Sequence, residues 1–263
     1  MAEYKNGKLQ LPNVTLAAMT SVKLGATVKA LEYSCRGVDF AAVTLISHKK
    51  PLFLPKNIRY QHIDRIDHID RFNYDMIYEM WRYIHTDYML LVHYDGFVVN
   101  PESWRDEFLD YDYIGSPFPV PKDDVTYRDP EGRLIRVGNS VSIRSLRLLK
   151  FPSQSGMPFE ADHGFFNEDG FICVKNHLLF EEAGMRFAPF ELAKYFGHES
   201  MQPEFEGIRP FVFHKWAGTN AEYPNFLFKS RRVQKLMDRL DLRESARASR
   251  GTLRHGAQYE KSR

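Results

Sequence analysis

The stretch "YMLLVHYDGFVVNP", Tyr88 to Pro101, decides the fold. Five apolar or aromatic residues, Tyr88 to Val92, run without a break into His93, Tyr94, Asp95 and Gly96. A continuous apolar strand fits the centre of a sheet covered on both faces. In open α/β sheets, ligands bind beyond the carboxyl ends of such strands. Asp95 stands where a ligand would sit, and Gly96 lets backbone come close or turn sharply. Asp-Gly is also ordinary turn chemistry, and at this level both readings stand.

Upstream, "VTLAAMT" (Val14 to Thr20), "AAVTLIS" (Ala41 to Ser47) and "IRYQHI" (Ile58 to Ile63) read as strands. "ATVKALEYSC" (Ala26 to Cys35) reads as a helix after the first of them. Between Arg71 and Ile84, the residues Phe72, Met76, Ile77, Met80, Trp81 and Ile84 recur at helical spacing and predict one buried face. Strands alternating with helices imply βαβ units and a mostly parallel sheet. Downstream, "SWRDEFLDYDYIGSPFPVPKDD" reads as a short helix and a Pro-rich loop. "LIRVGNSVSIRSLRLLKF" reads as a strand holding Gly138 and Asn139, then a short helix. "NEDGFICVKNHLLFEEAGM" reads as one helix, with Asn167 as its cap, Glu168 and Asp169 in its first turn and Gly184 at its end. "RPFVFHKW" is a last short strand ending at His214.

The 263 residues, 43% of them hydrophobic, suffice for one sizeable core with a tail. Two cysteines, Cys35 and Cys173, have no metal or redox spacing and argue against a disulfide framework. The polar start, "MAEYKNGKLQLPN", lacks the apolar segment of a signal peptide, and no apolar run approaches membrane-spanning length. A reduced cytoplasmic protein is expected. Charge is uneven. Residues Lys229 to Arg263 hold 11 Lys or Arg against 4 Asp or Glu, a net +7, which leaves −5 on the rest. The acidic body argues against nucleic-acid binding. A domain over 1–228 and a basic extension over 229–263 are expected, the latter a solvated, partly helical or disordered tail or a surface for anionic lipid or an acidic partner.

Three clusters bear on chemistry. "HIDRIDHIDR" (His62 to Arg71) gathers histidines and acids, but fits a charged loop leading to a helix start better than any metal spacing. "NED" gains from the helix macrodipole without further reason. Its functional reading is a general base, whose ionised form the helix start favours, so that its effect rests on position. His214 alone is an ordinary part-buried histidine. Paired in space with Asp95 it would complete a hard-metal site of carboxylate, imidazole and substrate phosphate oxygens.

Taken in order, "RFNYDMIYEMWRYIHTDYMLLVHYDGFVVNPESWRDEFLDYDYIGSPFP", "VGNSVSIRSLRLL", "NEDGFIC", "GMRFAPFELAKYF" and "FVFHKW" resemble the DUF5672 family of bacterial glycosyltransferase-like proteins, over roughly Leu11 to Trp216. The resemblance implies an α/β, GT-A-like fold: a Rossmann-type mixed sheet flanked by helices, with the basic extension outside it. It also implies an inverting transfer of sugar from a nucleotide-sugar donor to a glycan or lipid-linked glycan in bacterial surface-polysaccharide synthesis. Asp95 would take the place of the metal-binding acid, with His93 standing where a first Asp would be, and His214 that of a late metal-ligating histidine. The ion would be Mn2+ or Mg2+. Asp169 would be the base, with Glu168 beside it. Thr20, Ser21, Ser47, Tyr94 and Gly96 would lie along the donor. The implied location is cytoplasmic or peripheral on the inner membrane. The alternatives are a non-catalytic nucleotide- or carbohydrate-binding module and, more remotely, a metal hydrolase lacking paired ligand spacing.

Overall fold

Alternating and continuous apolar runs near the N-terminus build the sheet in the computed structural model, which describes residues 3–161 and 166–227. A two-residue strand β1 (Tyr4–Lys5) pairs antiparallel with β2 (Lys8–Met19). Helix α1 (Leu24–Ser34) leads to β3 (Val38–Ser47) and β4 (Arg59–His62). The helical segment that begins with α2 (Ile69–Tyr74) leads to β5 (Tyr88–Leu91), and β6 (Tyr113–Pro117) and β7 (Val137–Ser145) complete the sheet. The order is β4-β3-β2-β5-β7-β6, with β1 beside β2. The β4, β3, β2 and β5 neighbours are parallel, and β7 runs antiparallel to both β5 and β6. The mixed α/β sheet is thus half parallel and half antiparallel, rather than mostly parallel as the alternation of elements suggested.

β5 is central and three of its four residues are buried, as its unbroken apolar sequence requires. In β2 the register with β3 shifts between Leu11 and Thr15, across Pro12, whose nitrogen cannot join the ladder. β6 lay hidden in what reads as a Pro-rich loop. It is an edge strand, where a terminal proline is tolerated. Its Gly115 packs so tightly on β7 that a Cβ would lie 1.7 Å from the Gly138 carbonyl oxygen.

The periodic segment from residue 69 to 83 is helical throughout but changes form. After α2 come a π turn (Asp75–Glu79) and a 3-10 turn (Met80–Tyr83). The change of phase divides its apolar residues between two clusters. Met76, Met80 and Ile84 pack with Met19, Ile46 and Met89, whereas Ile77 and Tyr78 pack with Tyr113, Phe118 and Phe171.

The segment opened by "NED" is also broken. Helix α3 (Leu146–Ser155) follows β7; α4 (Glu168–Gly170) is three residues long; a π turn (Phe171–Lys175) leads to α5 (His177–Glu182). Gly184 ends it in the left-handed region, φ 78°. Helix α6 (Phe190–Phe196) runs into a two-stranded parallel sheet of β8 (Gly197–His198) and β9 (Val212–Phe213). Residues Met1–Asn225 form one compact unit and Phe226–Arg263 are assigned to a second. The basic extension, Lys229 to Arg263, lies outside the described residues.

Candidate active site

The end of β5 forms the turn that Asp-Gly chemistry suggests, and a cavity lies beside it. His93 to Gly96 form a tight turn in which the His93 and Gly96 amides donate to each other's carbonyl oxygens, at 2.7 and 3.3 Å. A Cβ on Gly96 would lie 2.6 Å from Val141, 2.8 Å from the His214 ring and 2.9 Å from the Phe213 carbonyl oxygen. The glycine therefore brings the end of β9 against the turn. Lys215, with φ 62°, continues from β9, and its amide donates to the Asp95 carbonyl at 2.7 Å.

Beside the turn lies a cavity of about 340 Å³. Thr20, Ser21 and Val22 after β2, Asp67 and His68 before α2, and His93 and Tyr94 all line it. Two of the predicted donor residues also build its walls. The Thr20 hydroxyl donates to Val22 O at 2.6 Å and accepts from Val22 N at 3.0 Å. Ser21 Oγ accepts from the Ile66 amide at 2.8 Å, tying the two loops together. Burial first, then the adjacent Asp95 carboxylate, raises the pKa of the Tyr94 hydroxyl. Ser47 ends β3 fully enclosed, its hydroxyl has no partner, and it is not among the residues that line this cavity. The last five residues of β3, Val43 to Ser47, are all buried, so the strand's end offers no exposed face.

From the cavity wall a hydrogen-bonded chain runs into the protein. His93 Nε2 meets Ser140 Oγ at 2.8 Å, and the Ser140 hydroxyl donates to Glu168. Because that proton is given to Glu168, the His93 ring donates to Ser140, which fixes its tautomer. Burial, then the His214 ring and Arg144, drive the His93 pKa down to about 3, so the ring is neutral. Glu168 is buried against Arg144, whose Nη2 lies 3.1 Å away. Arg144 is itself wholly enclosed, and Tyr113 lies beneath its guanidinium, 5.2 Å to the ring centre. Asn167 makes no side-chain cap. Asn73 of α2 does that work, accepting the Glu168 amide at 3.1 Å and donating to Ala161 O at 3.1 Å.

Asp169 follows this pair directly. It is half-buried, and its Oδ1 accepts the Gly170 amide at 2.8 Å. Burial first and the Glu168 carboxylate next push its carboxyl up to about 7. The helix-start field was expected to act the other way; a three-residue helix contributes little dipole, and burial outweighs it.

His214 and Asp95, the predicted metal ligands, come together: His214 Nε2 lies 3.8 Å from Asp95. Glu199, which carries no periodic or motif signal in the sequence, lies 3.4 Å from the opposite ring nitrogen. It also holds Lys215 Nζ at 2.5 Å and accepts from Asn139, a β7 residue at φ 77°. Burial would raise the Glu199 pKa, but His214 and Lys215 hold it down at about 2. An imidazole binds a metal through one nitrogen, so Asp95 and Glu199 cannot share one ion with this ring. Among the described residues no group of three His, Cys, Asp or Glu side chains could hold a metal. Asp95 and His214 Nε2 would offer a divalent ion one carboxylate and one imidazole, the pair expected beside substrate phosphate oxygens, with Glu199 on the far side of the ring. His62 and His68, in the acid-rich loop, form no such group either; His68 caps α2, accepting the Asp70 amide at 3.2 Å.

The site is thus a polar cluster and cavity at one end of a mixed α/β sheet. Residues 57–214 match the family described as "Protein of unknown function (DUF5672)", and the chain belongs to that family. The match begins well after Leu11, where the resemblance was expected to start. No curated protein sequence matches the chain. Among solved structures it is similar to the galactosyltransferase LgtC in complex with donor and acceptor sugar analogs, at 12% identity and a TM-score of 0.47, over 77% of this chain and 86% of that one. It is similar to an active-site mutant of LgtC, at 12% identity and 0.46, over 85% and 95%. It is also similar to the apo form of the glycosyltransferase GlyE from Streptococcus pneumoniae TIGR4, at 10% identity and 0.40, over 76% and 53%. At these scores the likenesses carry no argument about the reaction.

Proposed function

We propose that the chain is an inverting, GT-A-like glycosyltransferase that moves a sugar from a nucleotide-sugar donor to a hydroxyl of a glycan or lipid-linked glycan. The observation that carries this reading is the chain His93–Ser140–Glu168, which runs from the cavity wall to the residue next to Asp169, whose carboxyl is raised to about 7. A general base works best with a pKa near the operating pH.

In this reading the nucleotide occupies the cavity between the turn after β2 and Tyr94. Asp95 accepts hydrogen bonds from donor hydroxyls, and Lys215 faces the diphosphate. Asp169 takes the proton of the acceptor hydroxyl as its oxygen bonds to the anomeric carbon. The bond from that carbon to the diphosphate breaks, and its electron pair leaves with the phosphate oxygen. One in-line displacement inverts the carbon, and the gain comes from holding the reactants in line. Glu168, committed to Ser140 and Arg144, is a positioning residue. Residues 1–228 form the catalytic unit, the reaction is cytoplasmic, and its product feeds bacterial surface polysaccharide.

A thermal-shift screen of nucleoside diphosphates and their sugars, with and without chelator, tests this. A ligand at a hundred times its Kd stabilises by about 2.7 kcal/mol. A rise in Tm with one nucleotide class is expected, together with donor turnover; loss of the rise with chelator would assign an ion to Asp95 and His214, and a rise that survives chelator would leave them without one. Binding without turnover across the panel would leave a non-catalytic module. No shift with any nucleotide would contradict the transferase reading and a nucleotide-binding module alike.

A further inference from the structure

The connection between β3 and β4, "HKKPLFLPKNI" (residues 48–58), has a tip that the fold leaves uncovered. Leu52 and Phe53 stand side by side in a turn and are 95% and 92% exposed. Pro51 and Pro55 flank them and stiffen the chain, and the Ile58 amide anchors its return by donating to Pro55 O at 3.0 Å. Lys49, Lys50 and Lys56 surround the tip, all exposed, and none forms an ion pair with a described residue. The loop contains no Asp or Glu. Single exposed apolar residues are ordinary. Two adjacent ones, stiffened by prolines and ringed by uncompensated lysines, are not.

We propose that this loop docks on an anionic lipid bilayer. Leu52 and Phe53 enter the boundary between headgroups and acyl chains, and the three lysines meet the lipid phosphates while their stems cover apolar surface. The order of the chemistry selects the occupant: an apolar tip beneath a collar of one charge sign matches an apolar interior beneath an anionic surface. The loop leaves the carboxyl end of β3, whose neighbour β2 ends at the cavity. That docking brings a lipid-borne acceptor towards the site rests on the glycosyltransferase reading; the docking itself does not.

The test uses the full chain and vesicles of neutral phosphatidylcholine or of phosphatidylcholine with phosphatidylglycerol, with neither donor nor acceptor, so failure of transfer cannot be confused with failure of docking. In Phe53→Trp, anionic vesicles should shift the added indole emission to the blue, and lipids brominated along the acyl chain should quench it. A basic tail that holds the chain to vesicles by charge alone would produce neither effect. The double variant Leu52→Ser, Phe53→Ser should lower co-sedimentation with anionic vesicles on the order of tenfold or more. Changing Lys49, Lys50 and Lys56 to Glu should remove the preference for anionic over neutral lipid. Unshifted emission, or undiminished sedimentation of the double variant, would overturn the proposal. So would a blue shift that grows with protein concentration in buffer alone, which would assign the tip to a second copy of the chain.

Discussion

Glu168 and Asp169 are adjacent acids with opposite relations to stability. Asp169 has a raised carboxyl pKa, so the folded chain holds its proton more tightly than the unfolded chain does. The stability associated with that proton is complete below the ordinary carboxylate range and is lost as pH rises from about 4 to about 7. Asp169→Asn removes the charge. Its gain in Tm over the natural chain should therefore grow between pH 4 and pH 7 and level off above; a difference that does not vary with pH would mean the carboxyl is not raised. Glu168→Gln should instead destabilise the fold, because it strips a partner from buried Arg144. Breaking one side of a buried pair costs about 3–5 kcal/mol, measurable by denaturant unfolding. Gly96→Ala forces a Cβ against Phe213 backbone and the His214 ring. It should cost about 1–3 kcal/mol, the scale of overpacking, and weaken donor binding, since the turn that presents Asp95 must move; unchanged calorimetric affinity would separate the turn from the donor. At this scale the sequence marked Asp95, Gly96, Asp169 and His214, each beside a strand or helix boundary. It gave no sign of Glu199, which acquires its role only when β8 and β9 meet.

Two helical segments change form where they serve the site, and neither change was legible. Hydrophobic spacing read both as uniform helices, because a π turn alters phase by a single residue within an otherwise periodic run. Just before the π turn, α2 presents Asn73 at full burial. That one side chain holds both the Ala161 carbonyl and the Glu168 amide. Asn73→Ala leaves both groups without a partner and should cost about 1–3 kcal/mol for each that stays buried. It should lower kcat while donor affinity stays near the natural value, because Asn73 acts through Glu168 and not on the cavity. A loss of donor affinity alone would assign α2 a different role. β6 was missed for a related reason: its Gly and Pro are turn residues by local preference, and only edge position and close approach to β7 make them strand residues.

For the whole molecule, the apolar run of β5 pointed to the carboxyl ends of the parallel strands, where the cavity lies, and the second, antiparallel half brought Asn139 and Ser140 to the same end. Their contribution depends on strand direction, which local sequence does not encode. No helix among the described residues is long and apolar enough to cross a membrane. The central claim is that Asp169 serves as the base of an inverting transfer. Proton NMR of sugar release from a panel of nucleotide sugars at pH 8, by the natural chain and by Asp169→Asn, tests it most directly. The account predicts that the first-formed sugar has the anomeric configuration opposite to the donor, and that Asp169→Asn slows its release roughly 10²-fold or more with donor affinity retained. Retained configuration, or near-natural release by the variant, would contradict it.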